Sequence, residues 1–137
     1  MNSKKLLIVI AFITFLFGTS FVFETHPVQK DWPVPPADKA KKNPQENNAE
    51  SINLGKTLWN KHCRSCHGNK GLGDGNKAAQ LDTDPGDFSK PSFQAQTDGE
   101  LFYKTSEGRD DMPSFKKKIP YEEDRWDLVN FMRTLKK

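Results

Sequence analysis

Two cysteines three positions apart, with a histidine directly after the second, constrain this chain more than any other feature. The stretch is Cys63-Arg64-Ser65-Cys66-His67, and it holds the only cysteines in the sequence. This is the spacing by which c-type haem is attached. Each thiol can add across one haem vinyl group. The following histidine is then held beneath the porphyrin, where its imidazole can bind iron. The spacing marks Cys63 and Cys66 as covalent attachment residues for one haem c and His67 as the proximal iron ligand. Redox dithiols and zinc sites also use CxxC. A zinc site of four cysteines is excluded by the count, and His62 and His67 crowd the same short stretch with no distant second pair. A redox dithiol sits at a strand-to-helix junction in an α/β pattern, and no such pattern is present.

The N-terminus reads as a targeting or anchoring element. Lys4 and Lys5 precede a charge-free run over residues 6–23 that is rich in Leu, Ile, Val and Phe. The run is at the short end of what spans a bilayer and longer than a typical signal-peptide core. Residues 1–23 are therefore read as a signal anchor or a signal peptide, with a cleavage option after Ser20. Both readings place the remainder outside the cytoplasm, on the periplasmic side, with Lys4 and Lys5 inside. The 21 Lys and Arg against 18 Asp and Glu give +3. Lys4 and Lys5 contribute two of those charges and two haem propionates would offset the rest, so nothing points to nucleic-acid binding.

Residues 24–50 read as a tether. Pro27, Pro33, Pro35 and Pro36 favour extended backbone, and Lys39, Lys41 and Lys42 cluster behind them. Trp32 is a large aromatic in this stretch, open to two readings: a solvated segment, or a segment packed on the domain. Residues 51–137 read as one helical domain. Ile52, Gly55, Leu58, Trp59 and His62 build one face of a helix over residues 50–62. Gly55 on that face points to close approach of another helix. Residues 69–87 are a glycine-rich loop, expected to wrap against the flat prosthetic group. Gly71 to Gly75 lacks the Lys-Ser/Thr pair of a phosphate loop and follows no strand. Thr97 and Glu100 form a capping-box pattern, and Gly108 can close the helix they open. The last helix begins near Tyr121 with Glu122, Glu123 and Asp124 in its first turn, and Leu128, Phe131, Met132 and Leu135 form its apolar stripe.

One iron position remains to be filled. Met112 lies in a non-helical loop where packing does not explain a thioether, and Pro113 stiffens that loop. Met112 is the expected distal ligand, and a thioether there favours Fe(II). Met132 lies on the apolar stripe and is read as core. His62 is read as pointing away from the iron, His26 as solvated, and Lys116, Lys117 and Lys118 as a solvated face.

Together, the CxxCH at residues 63–67, the Met112-Pro113 loop and the pair of terminal helices resemble a class I c-type cytochrome, over about residues 50–137. In that family a glycine and an aromatic of the first helix meet an aromatic of the last; Gly55, Trp59 and Phe131 match. The Gly-Leu-Gly-Asp-Gly run at residues 71–75 and Asp-Arg-Trp-Asp-Leu-Val-Asn at residues 124–130 resemble a small bacterial subgroup, membrane-tethered or secreted. Asn76 stands where many members have proline, and Tyr121 where the last helix usually has a Ser/Thr cap. A backbone carbonyl near Asn76 or near Pro85 is expected to accept the His67 Nδ1 proton.

The resemblance implies an all-α cytochrome c fold of short helices around one covalent haem. It implies a one-electron carrier rather than an enzyme, with redox proteins or a respiratory complex as partners. The alternative is a ligand-binding or peroxidatic haem protein in which Met112 is displaceable.

Overall fold

Asn48 starts the first long helix. Its side-chain oxygen accepts a hydrogen bond from the Ser51 amide at 3.0 Å, satisfying one of the free donors of a helix start. The structure, a computed structural model, describes residues 31–137. Among these the order is α1 (Pro36–Lys39), α2 (Ala49–His62), α3 (Arg64–His67), a 3₁₀ turn (Ala78–Gln80), α4 (Pro91–Gln94), α5 (Asp98–Glu107) and α6 (Glu122–Arg133). No strand forms among the described residues; a single isolated bridge pairs Arg109 with Met112. The hydrophobic helix expected over residues 6–23, and His26, lie outside them. No helix among the described residues is long and apolar enough to cross a membrane.

The frame of the domain is the crossing of α2 and α6. A Cβ added at Gly55 would run into the Asp127 carbonyl oxygen and sit 2.8 Å from Phe131 Cβ. The glycine expected to admit a second helix therefore does so, against the expected aromatic. Trp59, Leu128 and Val129 are fully buried beside this contact. Polar groups tie the same crossing together. Ser51 Oγ donates to Asp127 Oδ1 at 2.5 Å, and Asn130 Nδ2 donates to Ser51 Oγ at 2.8 Å. Every residue of α6 from Arg125 to Met132 is buried, so the helix is enclosed well beyond its apolar stripe. Arg125 shows why. Its Nε donates to Ser106 Oγ at 3.0 Å and its Nη1 to the Ile119 carbonyl at 2.5 Å, which staples α5 and the loop after it to the start of α6. Tyr121 is the N-cap residue of α6 and gives no side-chain cap, as its chemistry requires.

The capping box at α5 is complete: the Glu100 amide donates to Thr97 Oγ1, and the Thr97 amide to Glu100 Oε2. Gly108 ends the helix with a positive φ of 70°.

The segment read as a tether is docked from residue 31 onward. Lys39 Nζ lies 3.0 Å from Glu100 Oε1, and Thr97 Oγ1 donates to the Lys39 carbonyl at 2.8 Å. Asn43 Nδ2 donates to Asn130 Oδ1 at 2.8 Å. Of the two readings of Trp32, packing on the domain holds.

Candidate haem site

α2 runs into the CxxCH stretch with little break. Cys63 is the C-cap residue of α2 and also the N-cap residue of α3, so one continuous turn carries both thiols and His67. The glycine-rich loop then folds back over this turn. The Gly73, Gly75 and Lys77 amides donate to the carbonyls of His67, Cys66 and Ser65. A Cβ on Gly75 would lie 2.6 Å from the Cys66 carbonyl group. The loop was expected to need glycine for contact with a flat ligand. Gly75 makes room for the backbone of the attachment turn itself.

In front of that turn is a cavity of about 400 Å³. Its wall includes Cys63, Cys66, His67 and Met112, the four residues singled out by the sequence. Trp59, Phe88, Phe93, Leu101, Phe115 and Met132 supply much of its apolar lining. Met132 is both core, as expected, and wall. His62 also lines the cavity and sets its ring edge-on to Phe115 at 6.2 Å. The contact with Phe115 makes His62 a packing residue at the border of the cavity. Burial lowers the His62 pKa, and neighbouring Lys61 and Lys118 add to the effect.

His67 is fixed by a single polar contact. Its Nδ1 lies 2.9 Å from the Pro85 carbonyl. A carbonyl only accepts, so Nδ1 carries the proton and Nε2 keeps its lone pair. Of the two candidate carbonyls, Pro85 is the one used. Burial lowers the His67 pKa, and the bond to Pro85 opposes that only in part. Phe88 and Trp59 flank the ring at centroid distances of 4.8 and 5.7 Å. Trp59 is itself held, with Nε1 donating to the Gly68 carbonyl at 3.0 Å. Cys63 is buried, and burial pushes its thiol up to about 12, with Cys66 adding to the effect.

Met112 is presented by a tight turn. The Arg109 and Met112 backbones exchange hydrogen bonds of 2.7 and 2.8 Å, and Asp110 between them has a φ of 49°. Asp111 ties this turn to the chain just before Pro85. Its Oδ2 accepts from the Asp82 amide, the Thr83 amide and Thr83 Oγ1 at 2.9 to 3.0 Å. The chain around Pro85, which orients His67, and the chain around Met112 are thus joined side chain to backbone.

The residues present fit a haem. A cavity with a largely apolar wall carries two free thiols, one oriented imidazole with a lone pair and one thioether. No group of three or more His, Cys, Asp or Glu side chains that could hold a bare metal ion converges among the described residues. Sequence reasoning missed Phe88, Asp111, Lys104 and Arg109 in this wall. Only Phe88, an aromatic shortly after the glycine loop, carried a usable signal.

Comparison with known proteins agrees with this geometry. Residues 50–132 match the model of a family described as cytochrome C oxidase, cbb3-type, subunit III. No curated protein matches the chain. Among solved structures, the chain is similar to one from the Kuenenia stuttgartiensis reducing HAO-like protein complex, with a TM-score of 0.64 and 25% identity over 78% of this chain and 52% of that one. The match thus spans about half the length of that neighbour. It is also similar to the KustC0563 c-type cytochrome, with a TM-score of 0.53 and 30% identity over 61% of this chain and 98% of that one. With cavity, attachment turn and helix crossing all in one domain, the chain belongs to the cbb3-type subunit III family of cytochrome c domains, and is a class I c-type cytochrome with covalently bound haem c.

Proposed function

We propose that this chain is a one-electron carrier with His/Met axial ligation, working on the extracytoplasmic side of a membrane. The observation that carries the reading is the cavity wall that Cys63, Cys66, His67 and Met112 share. Cys63 and Cys66 hold the porphyrin by thioether bonds. His67 binds iron through Nε2, with its tautomer set by Pro85. Met112, on the wall of the same cavity, would supply the second ligand through its thioether sulfur. The bound haem supplies a metal that cycles between Fe(III) and Fe(II). The protein's part is to keep both ligands in place in both states. The bond to Pro85 and the latch through Asp111 serve that end, because they leave ligand positions little to reorganise on electron arrival. A filled sixth position leaves no open site for peroxide or small ligands, which favours a carrier over a catalyst.

The charge-free run over residues 6–23 behind Lys4 and Lys5 supports anchoring or export. The family description names an oxidase subunit, and one structural neighbour is a component of a protein complex. Both support a role as, or docking to, a respiratory-complex subunit.

Met112→Ala tests the ligation. The oxidised wild type should show a weak near-infrared sulfur-to-iron charge-transfer band. The variant should lose that band, bind carbon monoxide and fall in potential, because the thioether favours Fe(II). Met132→Leu should leave spectrum and potential unchanged. An unaltered spectrum and potential in Met112→Ala would remove Met112 from the iron.

A further inference from the structure

The chain before the domain does more than connect. Residues 31–48 run along α5 and α6 and end at the cap of α2. Four separate features hold them there. A Cβ on Gly99 would lie 2.9 Å from the Lys41 carbonyl oxygen and 3.0 Å from that of Lys39, and would run into that of Asp38. The strap thus lies directly on the first turn of α5, and only glycine admits it. Lys39 pairs with Glu100, and Asn43 is bonded to Asn130 and to the Trp126 carbonyl. At the far end Arg109 Nη1 donates to the Asp31 carbonyl at 2.7 Å.

This docking delivers Trp32 to the cavity wall. Two cations hold the indole from the domain side. The Arg109 guanidinium carbon lies 4.5 Å from the ring centroid and Lys104 Nζ lies 5.7 Å from it. Contacts of this kind are attractive when the cation faces the ring within about 6 Å. Lys104 is itself fixed by Gln96, and both Lys104 and Gln96 also line the cavity.

We propose that residues 31–48 are a structural wall of the haem site, and that Trp32 is a positioning residue that keeps water from the haem and raises its potential. The proposal rests on the haem reading above. The physical reason is solvation. The oxidised centre carries the greater positive charge, and water stabilises it more than an apolar wall does. Exposure and local dielectric are among the levers a protein has on a haem potential. A segment that reads as a loose tether would then set the redox property of the domain it leads into.

The test uses full-length, haem-loaded protein and three variants. Trp32→Ala removes the wall but leaves the strap's other contacts. Trp32→Phe keeps an aromatic face for Arg109 and Lys104. Gly99→Val dislodges the strap from a position outside the cavity wall. Potentiometry and amide exchange over residues 38–41, whose amides are hydrogen-bonded within the strap, are measured on each. In wild type those amides should exchange more slowly than in an unstructured chain. Gly99→Val should bring them to free-chain rates and lower the potential. Trp32→Ala should lower the potential while leaving them protected, and Trp32→Phe should hold the wild-type value. Free-chain exchange in wild type overturns the proposal. So does an unchanged potential in both Trp32→Ala and Gly99→Val, or a Trp32→Phe potential as low as that of Trp32→Ala. Absence of a haem spectrum in wild type overturns the haem reading instead, and this proposal with it.

Discussion

Replacing Gly55 by alanine sets two effects of opposite sign against each other. In an exposed helix interior the change would stabilise by about 1 kcal/mol, because alanine is the better helix former. At Gly55 the new methyl meets the Asp127 carbonyl oxygen head-on and lies 2.8 Å from Phe131 Cβ. Carbon atoms pack at about 3.5–4.0 Å, so α2 and α6 must part by roughly 1 Å along that line. Neither obstacle is a flexible tip. One is backbone inside α6, the other a Cβ fixed to it. Overpacking costs about 1–3 kcal/mol, and rigid neighbours put this site in the upper half of that range. After the propensity gain alanine should lose about 1–2 kcal/mol. Valine adds two methyl groups with no such gain and should lose about 3 kcal/mol or more. For a domain of this size about 1 kcal/mol moves Tm by roughly 4–8 °C. Alanine should therefore lower Tm by roughly 4–16 °C, and valine by more than about 12 °C. Thermal and urea unfolding of the haem-loaded protein, followed by far-UV circular dichroism, measures both. An alanine variant as stable as wild type, or more so, would refute the close crossing and the reasoning built on it.

Other outcomes follow from contacts described above. Arg125→Met should cost about 1.5–3 kcal/mol, because a charged hydrogen-bond donor is lost to Ser106 and the Ile119 carbonyl; a loss in urea unfolding below about 0.5 kcal/mol would place Arg125 among ordinary surface residues. Asp111→Ala should speed amide exchange at Asp82 and Thr83, which both donate to its carboxylate; unchanged exchange there would show the latch to be inactive. Glu100 titrates below the ordinary carboxylate range. Burial pushes it up, but the Thr97 amide and Lys39 outweigh that and hold it down. A depressed carboxylate supports the fold above its unfolded pKa, near 4.5, and loses that support as pH falls through its folded value. The stability gap between wild type and Glu100→Gln should therefore be constant near neutral pH and close on acidification below about 4.5. A gap that widens there would reverse the assignment.

What could be read from the chain was what local chemistry encodes. The CxxCH turn, the Thr97–Glu100 box, the stop at Gly108 and the glycine for the helix crossing are all short-range patterns, and the structure carries each of them. The features that escaped depend on partners far away in sequence. Nothing near Trp32 announces that Arg109 and Lys104 will meet its ring, since proline-rich extended backbone looks the same whether docked or free. Arg125 follows three acidic residues and reads as part of a solvated first turn, yet Ser106 and the Ile119 carbonyl draw it inside. The choice of Pro85 over a carbonyl near Asn76 depends on how the glycine loop folds, and glycine leaves that path open by its own freedom.

The attachment turn has a consequence for biogenesis. Cys63 is 6% exposed, and its thiol stays protonated at neutral pH with a pKa of about 12. The carbonyls behind it are occupied by the amides of Gly73, Gly75 and Lys77. A thiol so covered and protonated is a weak nucleophile, although Cys63 lines the cavity where the porphyrin would lie. Thioether formation at Cys63 should therefore be favoured while the turn is still open to water, before residues 69–87 settle over it. The yield of mature cytochrome is then decided by a race between chain collapse and cofactor capture, and variants that slow the closing of that loop should mature more completely than their stability would indicate.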